Sequence, residues 1–111
     1  MSITTHLLDT SLGKPAPGVL VSLSVREGLT FREIARGTSD ADGRVNQFLP
    51  ALALVSGTYQ LLFETAAYFR AAARDAFFER VTLEFYVADA AQHYHVPLLL
   101  TPFGYSTYRG S

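Results

Sequence analysis

Hydrophobic and polar residues alternate in short runs along the chain, and turn-forming residues separate the runs. This period of two predicts β-strands that have one buried face. In the clearest run, residues 80–88, every second side chain is apolar: Val81, Leu83, Phe85 and Val87. Further strands are predicted at residues 3–9, 18–26, 29–35, 44–49, 58–65, 93–100 and 105–109. Pro97 lacks an N–H for a ladder, so it predicts an edge, a strand start or a bulge.

One segment departs from this alternation. Residues 66–74 contain five alanines and predict a short helix, with Thr65 as its N-cap. Two glycines and two prolines in residues 10–18 predict a loop, and residues 39–44, which include Asp42-Gly43, predict a tight turn. Seven or eight short strands and one helix predict an all-β fold, an antiparallel β-sandwich, in one domain that covers residues 1–111.

Composition narrows the class of protein. The 111 residues fit one domain, and a net charge of −1 without a basic stripe argues against a nucleic-acid partner. The absence of cysteine excludes disulfides, thiol nucleophiles and cysteine-ligated zinc. The longest apolar run, residues 51–55, is too short to span a membrane, and the first residues lack the pattern of a signal peptide. We therefore expect no membrane partner and a cytoplasmic location.

Titratable and basic groups concentrate near the end of the chain. His93 and His95 share a face of their predicted strand. In residues 105–111, called the tail from here on, the same rule places Arg109 and Ser111 on one side. If these two strands pair, imidazoles, a guanidinium and a hydroxyl can meet, a set that can polarise a carbonyl and move protons near neutral pH. The alternative interpretation is a solvated edge strand beside half-buried histidines that carry no chemistry.

Two metal-binding interpretations also follow from spacing. The His-x-His pair together with His6 could form a three-histidine zinc site, although two histidines at this spacing are common by chance. Asp40 and Asp42 resemble the start of a calcium loop, but the remaining ligands are missing, so a hairpin turn that delivers Arg44 to a strand is favoured. We predict no metal. Asp9 lies three residues after His6, so the two face opposite ways and do not form a dyad.

Several segments carry a resemblance to a known family: THLLD at residues 5–9, GKPA at 13–16, DADGR at 40–44, HYHVPLLL at 93–100 and GYSTYRGS at 104–111. The chain resembles the transthyretin-like 5-hydroxyisourate hydrolases throughout, and the closing YRGS separates them from the hormone carrier transthyretin. Glu79 departs from the pattern, because relatives commonly carry proline after the paired Phe77-Phe78.

The resemblance implies a two-sheet, transthyretin-like sandwich that assembles as a homotetramer with active sites at the dimer–dimer interface. It also implies the hydrolysis of 5-hydroxyisourate to 2-oxo-4-hydroxy-4-carboxy-5-ureidoimidazoline in urate degradation, without a cofactor. The catalytic set falls on His6, Arg44, His95 and Ser111, and substrate-binding roles fall on Tyr108, Arg109 and His93. Either His6 or His95 would be the base, Arg44 would bind a carbonyl or anionic edge, and Ser111 would hold the water. The alternative on the same fold is a carrier that binds a small aromatic ligand in the central channel.

Overall fold

The computed structural model describes residues 2–51 and 53–111, which form two β-sheets packed face to face and one short helix. Within those residues the strands are β1 (Ser2–Asp9), β2 (Lys14–Pro15), β3 (Leu20–Glu27), β4 (Thr30–Thr38), β5 (Arg44–Val45), β6 (Gly57–Phe63), β7 (Val81–Val87), β8 (His93–Thr101) and β9 (Gly104–Thr107). Helix α1 (Thr65–Ala71) follows β6. Across the same residues, no helix combines the length and apolarity that crossing a bilayer requires.

The order of the strands brings the two ends of the chain together. One sheet has the order β2-β1-β8-β9, with β5 also paired to β1, and the other has the order β4-β3-β6-β7. Strand pairs are antiparallel throughout the described residues except for β1 and β8, which run parallel. The first and eighth strands therefore lie side by side over their whole length.

The core fills the space between the two sheets. Strand alternation directs one set of side chains inward, and these are apolar and buried. They include Ile3, Leu7, Tyr94, Leu98 and Leu100 from β1 and β8, and Val21, Leu61 and Phe63 from the facing sheet. Removing this area from water stabilises the sandwich by roughly 25 cal/mol per Å². The other faces of β1 and β8 are left free to carry polar groups.

The predicted sandwich is confirmed, and the differences lie at the ends of elements. The loop predicted at residues 10–18 contains β2, and β4 runs three residues beyond its predicted end. The strand predicted at residues 44–49 ends at Val45, and only Leu49 pairs again, through a bridge to Arg36. The last strand ends at Thr107 instead of residue 109.

Pro97 was predicted to mark an edge, a start or a bulge, but it lies inside β8, which has neighbours on both sides. Its missing N–H falls where the ladder to the tail is interrupted. That interruption separates the Leu98–Thr107 pair from a later bridge between His95 and Gly110. Parallel pairing with β1 continues past the proline, where His6 lies opposite it.

The helix is shorter than predicted, and its cap is different. Glu64 is the N-cap residue and makes no side-chain cap bond, whereas Thr65, the predicted cap, is already helical. The helix ends before Ala73, whose φ of 55° is left-handed and cannot continue it. The turn directs Arg74 toward β1, where its Nη1 donates to Asp9 Oδ2 at 2.6 Å.

Asp9 is fully buried at the end of β1 and anchors this helix to the sheet. Arg74, Tyr68 and Ser11 all donate hydrogen bonds to its carboxylate. Burial raises the pKa of Asp9, but these hydrogen bonds and the charge of Arg74 outweigh it, so that the pKa lies well below its ordinary value. The inward position of Asp9 also confirms that it does not form a dyad with His6, which lies on the outer face.

Candidate active site

The outer face of the β1–β8 pair carries a row of polar side chains. Parallel register places Thr4 opposite His95 and Ser2 opposite His93. His6 is two positions further along the same face of β1, opposite Pro97. Side chains that share a strand face at this spacing are neighbours. All three histidines of the chain therefore lie on one surface of the sandwich, away from the core.

The turn before β5 delivers Arg44 to this surface, because β5 pairs with β1 so that Arg44 lies opposite His6. The carboxylate of Asp40 fixes the turn by accepting the backbone N–H groups of Asp42 at 2.9 Å and Arg44 at 3.0 Å. Gly43 has a φ of 76°, and a Cβ there would lie 2.3 Å from the carbonyl oxygen of Leu7. Glycine is thus required for the turn to approach β1 this closely. This is the hairpin turn predicted from the sequence, and it brings a guanidinium beside an imidazole.

The hydrogen bonds of His6 define its tautomer. Its Nε2 lies 2.9 Å from the backbone carbonyl oxygen of Asp42. A carbonyl oxygen can only accept, so Nε2 carries the proton and donates. In the neutral ring Nδ1 is then the atom with a free lone pair. The turn that positions Arg44 therefore also orients His6.

His95 is half-buried, as is His6, whereas His93 is exposed. The Nδ1 of His95 lies 2.8 Å from the hydroxyl oxygen of Thr4. Burial lowers the pKa of His95 below 6.5, and charge repulsion from Arg44, and from His93 and His6 whenever they are protonated, lowers it further. The ring is therefore neutral at physiological pH and can accept a proton, as a general base must.

The tail lies directly against His95. The backbone N–H of Gly110 donates to the carbonyl oxygen of His95 at 2.7 Å. A Cβ at position 110 would lie 2.5 Å from Cδ2 of the imidazole, so a side chain there would collide with the ring. Ser111 follows as an exposed residue. The structure thus brings the terminal serine to within one residue of the pairing that holds His95.

Arg109 is not brought together with the histidines. The Leu98–Thr107 pair and the His95–Gly110 bridge share one register, which places Arg109 opposite Val96 and therefore on the inward side of the tail. Its guanidinium lies 4.6 Å from the centroid of the Tyr94 ring, and its Nη2 donates to Gln92 Oε1 at 3.2 Å. The tail was predicted to direct Arg109 toward the histidines, and that prediction is wrong because Gly110, not Arg109, pairs with His95.

Tyr108 continues the same register and falls opposite Pro97, which places it on the outer side with His6. It is 60% exposed. Tyr108 and Arg109 also line a groove of about 340 Å³ between β7 and the β8–β9 edge. Their substrate-binding roles stay predictions, and within one chain only Tyr108 falls on the face that carries the imidazoles.

His93 is exposed, and it lies beside His95 with ring centroids 6.4 Å apart and planes inclined by 13°. Hydroxyl groups flank it: Ser2 Oγ at 2.6 Å from Nδ1 and Thr4 Oγ1 at 3.1 Å from Nε2. In residues 2–51 and 53–111, no three His, Cys, Asp or Glu side chains lie close enough to hold a metal ion. The three-histidine zinc set considered from the sequence is therefore not formed in this chain.

Three groups that contact the histidines were not predicted from the sequence: Thr4, Gly110 and the backbone carbonyl of Asp42. For Thr4 a signal existed, because it stands two residues before His6 and so shares its strand face. Gly110 and the Asp42 carbonyl had none, since their importance depends on which strands pair.

Known proteins resemble this chain over nearly its whole length. The chain matches the family described as HIUase/Transthyretin over residues 3–110. It is 47% identical over 114 residues to 5-hydroxyisourate hydrolase 2 of Rhizobium meliloti, with 98% of this chain and 95% of the relative covered. Among solved structures, 5-hydroxyisourate hydrolase of Klebsiella pneumoniae has a TM-score of 0.85, 44% identity and 98% coverage of both chains.

Sea bream transthyretin in complex with thyroxine shares the fold at a TM-score of 0.90, but with 28% identity over 97% of this chain and 93% of the other. The match over nearly the whole sequence and the relatives above 40% identity lead to one conclusion: the chain belongs to the HIUase/Transthyretin family.

Proposed function

We propose that this chain hydrolyses 5-hydroxyisourate on the outer face of the β1–β8 pair. The observation that carries the proposal is the convergence of His6, Arg44 and His95 with the tail on one surface. The names and identities of the relatives support the same reaction. The product is the ring-opened carboxylate, 2-oxo-4-hydroxy-4-carboxy-5-ureidoimidazoline, one step further along urate breakdown.

His95 is the general base in this proposal. The Thr4 hydroxyl occupies its Nδ1, so Nε2 is the ring nitrogen that meets the attacking water. Water attacks a ring carbonyl carbon while Nε2 takes one of its protons. The carbon–nitrogen bond then breaks, and the same proton passes from Nε2 to the leaving nitrogen. A base whose pKa lies near or below neutral suits both steps.

Arg44 and His6 act on the other side of the reacting carbonyl. The guanidinium presents a rigid fork of donors that matches the paired oxygens and nitrogens of a urate-like ring, and it stabilises the oxyanion that forms during attack. His6 donates through Nε2 to the protein, so the lone pair of its Nδ1 is free to accept a substrate N–H and orient the ring. The turn at residues 40–44 positions both side chains.

The tail supplies the remaining groups. The hydroxyl of Ser111 holds the attacking water in this proposal. Tyr108 forms one wall of the proposed substrate site on the same face. Arg109 faces the groove beside Tyr94 in its own chain, so any contact with substrate comes from Arg109 of another subunit.

The assembly we propose is a homotetramer with the histidine surface facing a second pair of chains. Exposed aromatic side chains on edge strands β7 and β9 support it, among them Tyr86 at 65% and Tyr105 at 42% exposure. A single chain also leaves the histidine surface open, whereas ring-opening chemistry benefits from a site that excludes water. Sedimentation equilibrium should give four times the 12.2 kDa chain mass, and a monomer with full activity would contradict the assembly. We keep the cytoplasm as its proposed location.

The test is to add the purified chain to freshly generated 5-hydroxyisourate and to follow ring opening by absorbance. We expect a large acceleration over buffer, and His95→Asn should lower kcat by about 10²–10⁴. Arg32→Gln is the matched control, since Arg32 is an exposed residue of β4 in the other sheet. The reaction requires no metal in this proposal, so a strong chelator should leave the rate unchanged. No acceleration by the unaltered chain would refute the function.

The second candidate is a carrier of a small aromatic ligand. The fold similarity to sea bream transthyretin in complex with thyroxine favours it. The polar and basic surface built by His6, Arg44 and His95 argues for the hydrolase instead, because an apolar ligand gains little from such groups. Tight binding of an aromatic ligand without turnover of 5-hydroxyisourate would support the carrier.

A further inference from the structure

A continuous chain of side-chain hydrogen bonds runs along the outer face of β1 and β8. Ser2 Oγ lies 2.6 Å from Nδ1 of His93, whose Nε2 lies 3.1 Å from Thr4 Oγ1. The same Thr4 oxygen lies 2.8 Å from Nδ1 of His95. Thr4 is buried and β-branched, so its hydroxyl is held in one position between the two rings.

Proton accounting limits the possible directions of these bonds. A hydroxyl has one proton, so Thr4 can donate to only one of its two imidazole neighbours and must accept from the other. If His95 is to accept a proton at Nε2, its neutral ring carries the proton on Nδ1 and donates to Thr4. The Thr4 O–H then donates to Nε2 of His93, and His93 donates through Nδ1 to Ser2. Each donor in the chain therefore has an acceptor.

We propose that Thr4 is a positioning residue for His95 and that His93 is the partner that fixes the direction of the Thr4 proton. The inference rests on the proposed function, because it selects the His95 tautomer in which Nε2 is free to act as base. The partner on one ring nitrogen decides which nitrogen of a neutral imidazole carries the proton. When His95 takes a proton from water, its Nδ1–H bond to Thr4 persists and holds the ring in place.

The experiment replaces the hydroxyl without changing the shape of the side chain. Thr4→Val keeps the β-branch and should lower kcat about 10–100-fold, the loss typical of an orienting partner of a functional histidine. Thr4→Ser restores the hydroxyl and should recover most of the rate. Thr5→Val is the matched control: Thr5 is the next residue of β1, faces the core and donates to the carbonyl of Val96 at 2.6 Å. It should lower Tm and leave kcat within twofold.

A second readout does not depend on turnover. Nitrogen NMR of labelled histidine should show His95 protonated at Nδ1 in the unaltered chain at neutral pH, and a shift toward protonated Nε2 in Thr4→Val. An unaltered kcat in Thr4→Val, or a His95 ring protonated at Nε2 in the unaltered chain, would overturn the proposal. Failure of the unaltered chain to open 5-hydroxyisourate would refute the hydrolase function instead, while the tautomer measurement would still test the role of Thr4.

Discussion

The backbone N–H of Gly110 donates to the carbonyl oxygen of His95 at 2.7 Å, and the imidazole of His95 covers the space that a side chain at position 110 would need. Glycine is thus the residue that lets the tail and the proposed base touch. We expect Gly110→Ala to displace the ring or the tail and to lower kcat about 10²-fold, since misplacement by about 1 Å has that effect. Steady-state kinetics measure the loss.

Gly104, directly before the tail, provides the matched control for Gly110→Ala. A Cβ there would lie 3.6 Å from Thr101 Oγ1, an ordinary contact, and its φ is not left-handed. Gly104→Ala should therefore keep kcat within about twofold. Equal losses in the two variants would show that any added methyl group near the end of the chain is harmful, and the specific contact with His95 would lose its support.

The rate should depend on pH in the direction that the surroundings of His95 dictate. Burial, followed by the charges of Arg44, His93 and His6, lowers the pKa of His95 below 6.5. The base must be neutral to act, so the acid limb of kcat/KM, which reports the free enzyme, should have its midpoint below pH 6.5, and activity should be lost only as the pH falls through that midpoint. NMR titration of His95 gives an independent midpoint. An acid limb above pH 6.5 would argue against His95 as the base.

Substitutions of Arg44 should separate its charge from its geometry. Arg44→Lys keeps the charge that lowers the pKa of His95 but loses the fork, so kcat/KM should fall about 10²–10³-fold with the acid limb unmoved. Arg44→Gln loses both, so the acid limb should also move to higher pH. The pH profile of kcat/KM measures both effects. A lysine variant with the activity of the unaltered chain would rule out recognition by the guanidinium fork.

The buried ion pair of Asp9 and Arg74 should contribute strongly to stability. The Asp9 side chain is fully buried and that of Arg74 is 22% exposed. Asp9→Asn removes the buried charge and leaves the partly buried guanidinium of Arg74 without its partner, which should cost toward the lower end of the roughly 3–5 kcal/mol typical of breaking a buried pair. Because the folded pKa of Asp9 lies below its value of 3.8 in the unfolded chain, the contribution is complete above pH 3.8 and is lost as the pH falls through the folded pKa. Urea unfolding at several pH values measures it.

Glu79→Gln is the control for that experiment. Glu79 pairs with Arg70, and the two side chains are 73% and 56% exposed, so solvent screens the pair. This substitution should leave the urea midpoint nearly unchanged. A comparable loss in both variants would mean that the effect of Asp9→Asn reflects charge in general and not the buried anchor.

Alternation along the strands was sufficient to predict the sandwich and the shared face of His93 and His95. It could not predict that β1 and β8 run parallel, because the period of two is the same in either direction. The helix also ends earlier than its sequence predicts, because contacts outside the segment decide where it stops. Alanine content favours a longer helix, but the left-handed Ala73 and the pull of Arg74 toward Asp9 are tertiary effects.

The site was predicted in part. The resemblance provided His6, Arg44, His95 and Ser111, and the structure places the first three on one surface with the tail beside them. The side predicted for Arg109 was wrong, because alternation gives the relative faces of residues within a strand but not the register between strands. In the sequence Thr4 is an ordinary β-strand residue. Only the short distances from its hydroxyl to two imidazoles, seen in the structure, indicate a role.

The sequence separation of 91 between Thr4 and His95 has a kinetic consequence. Closing so long a loop is slow compared with forming a local hairpin such as β3–β4, whose strands adjoin in sequence. A chain that refolds from urea should therefore regain much of its far-ultraviolet circular dichroism before it regains turnover, since the surface that carries the three histidines does not exist until β1 and β8 pair.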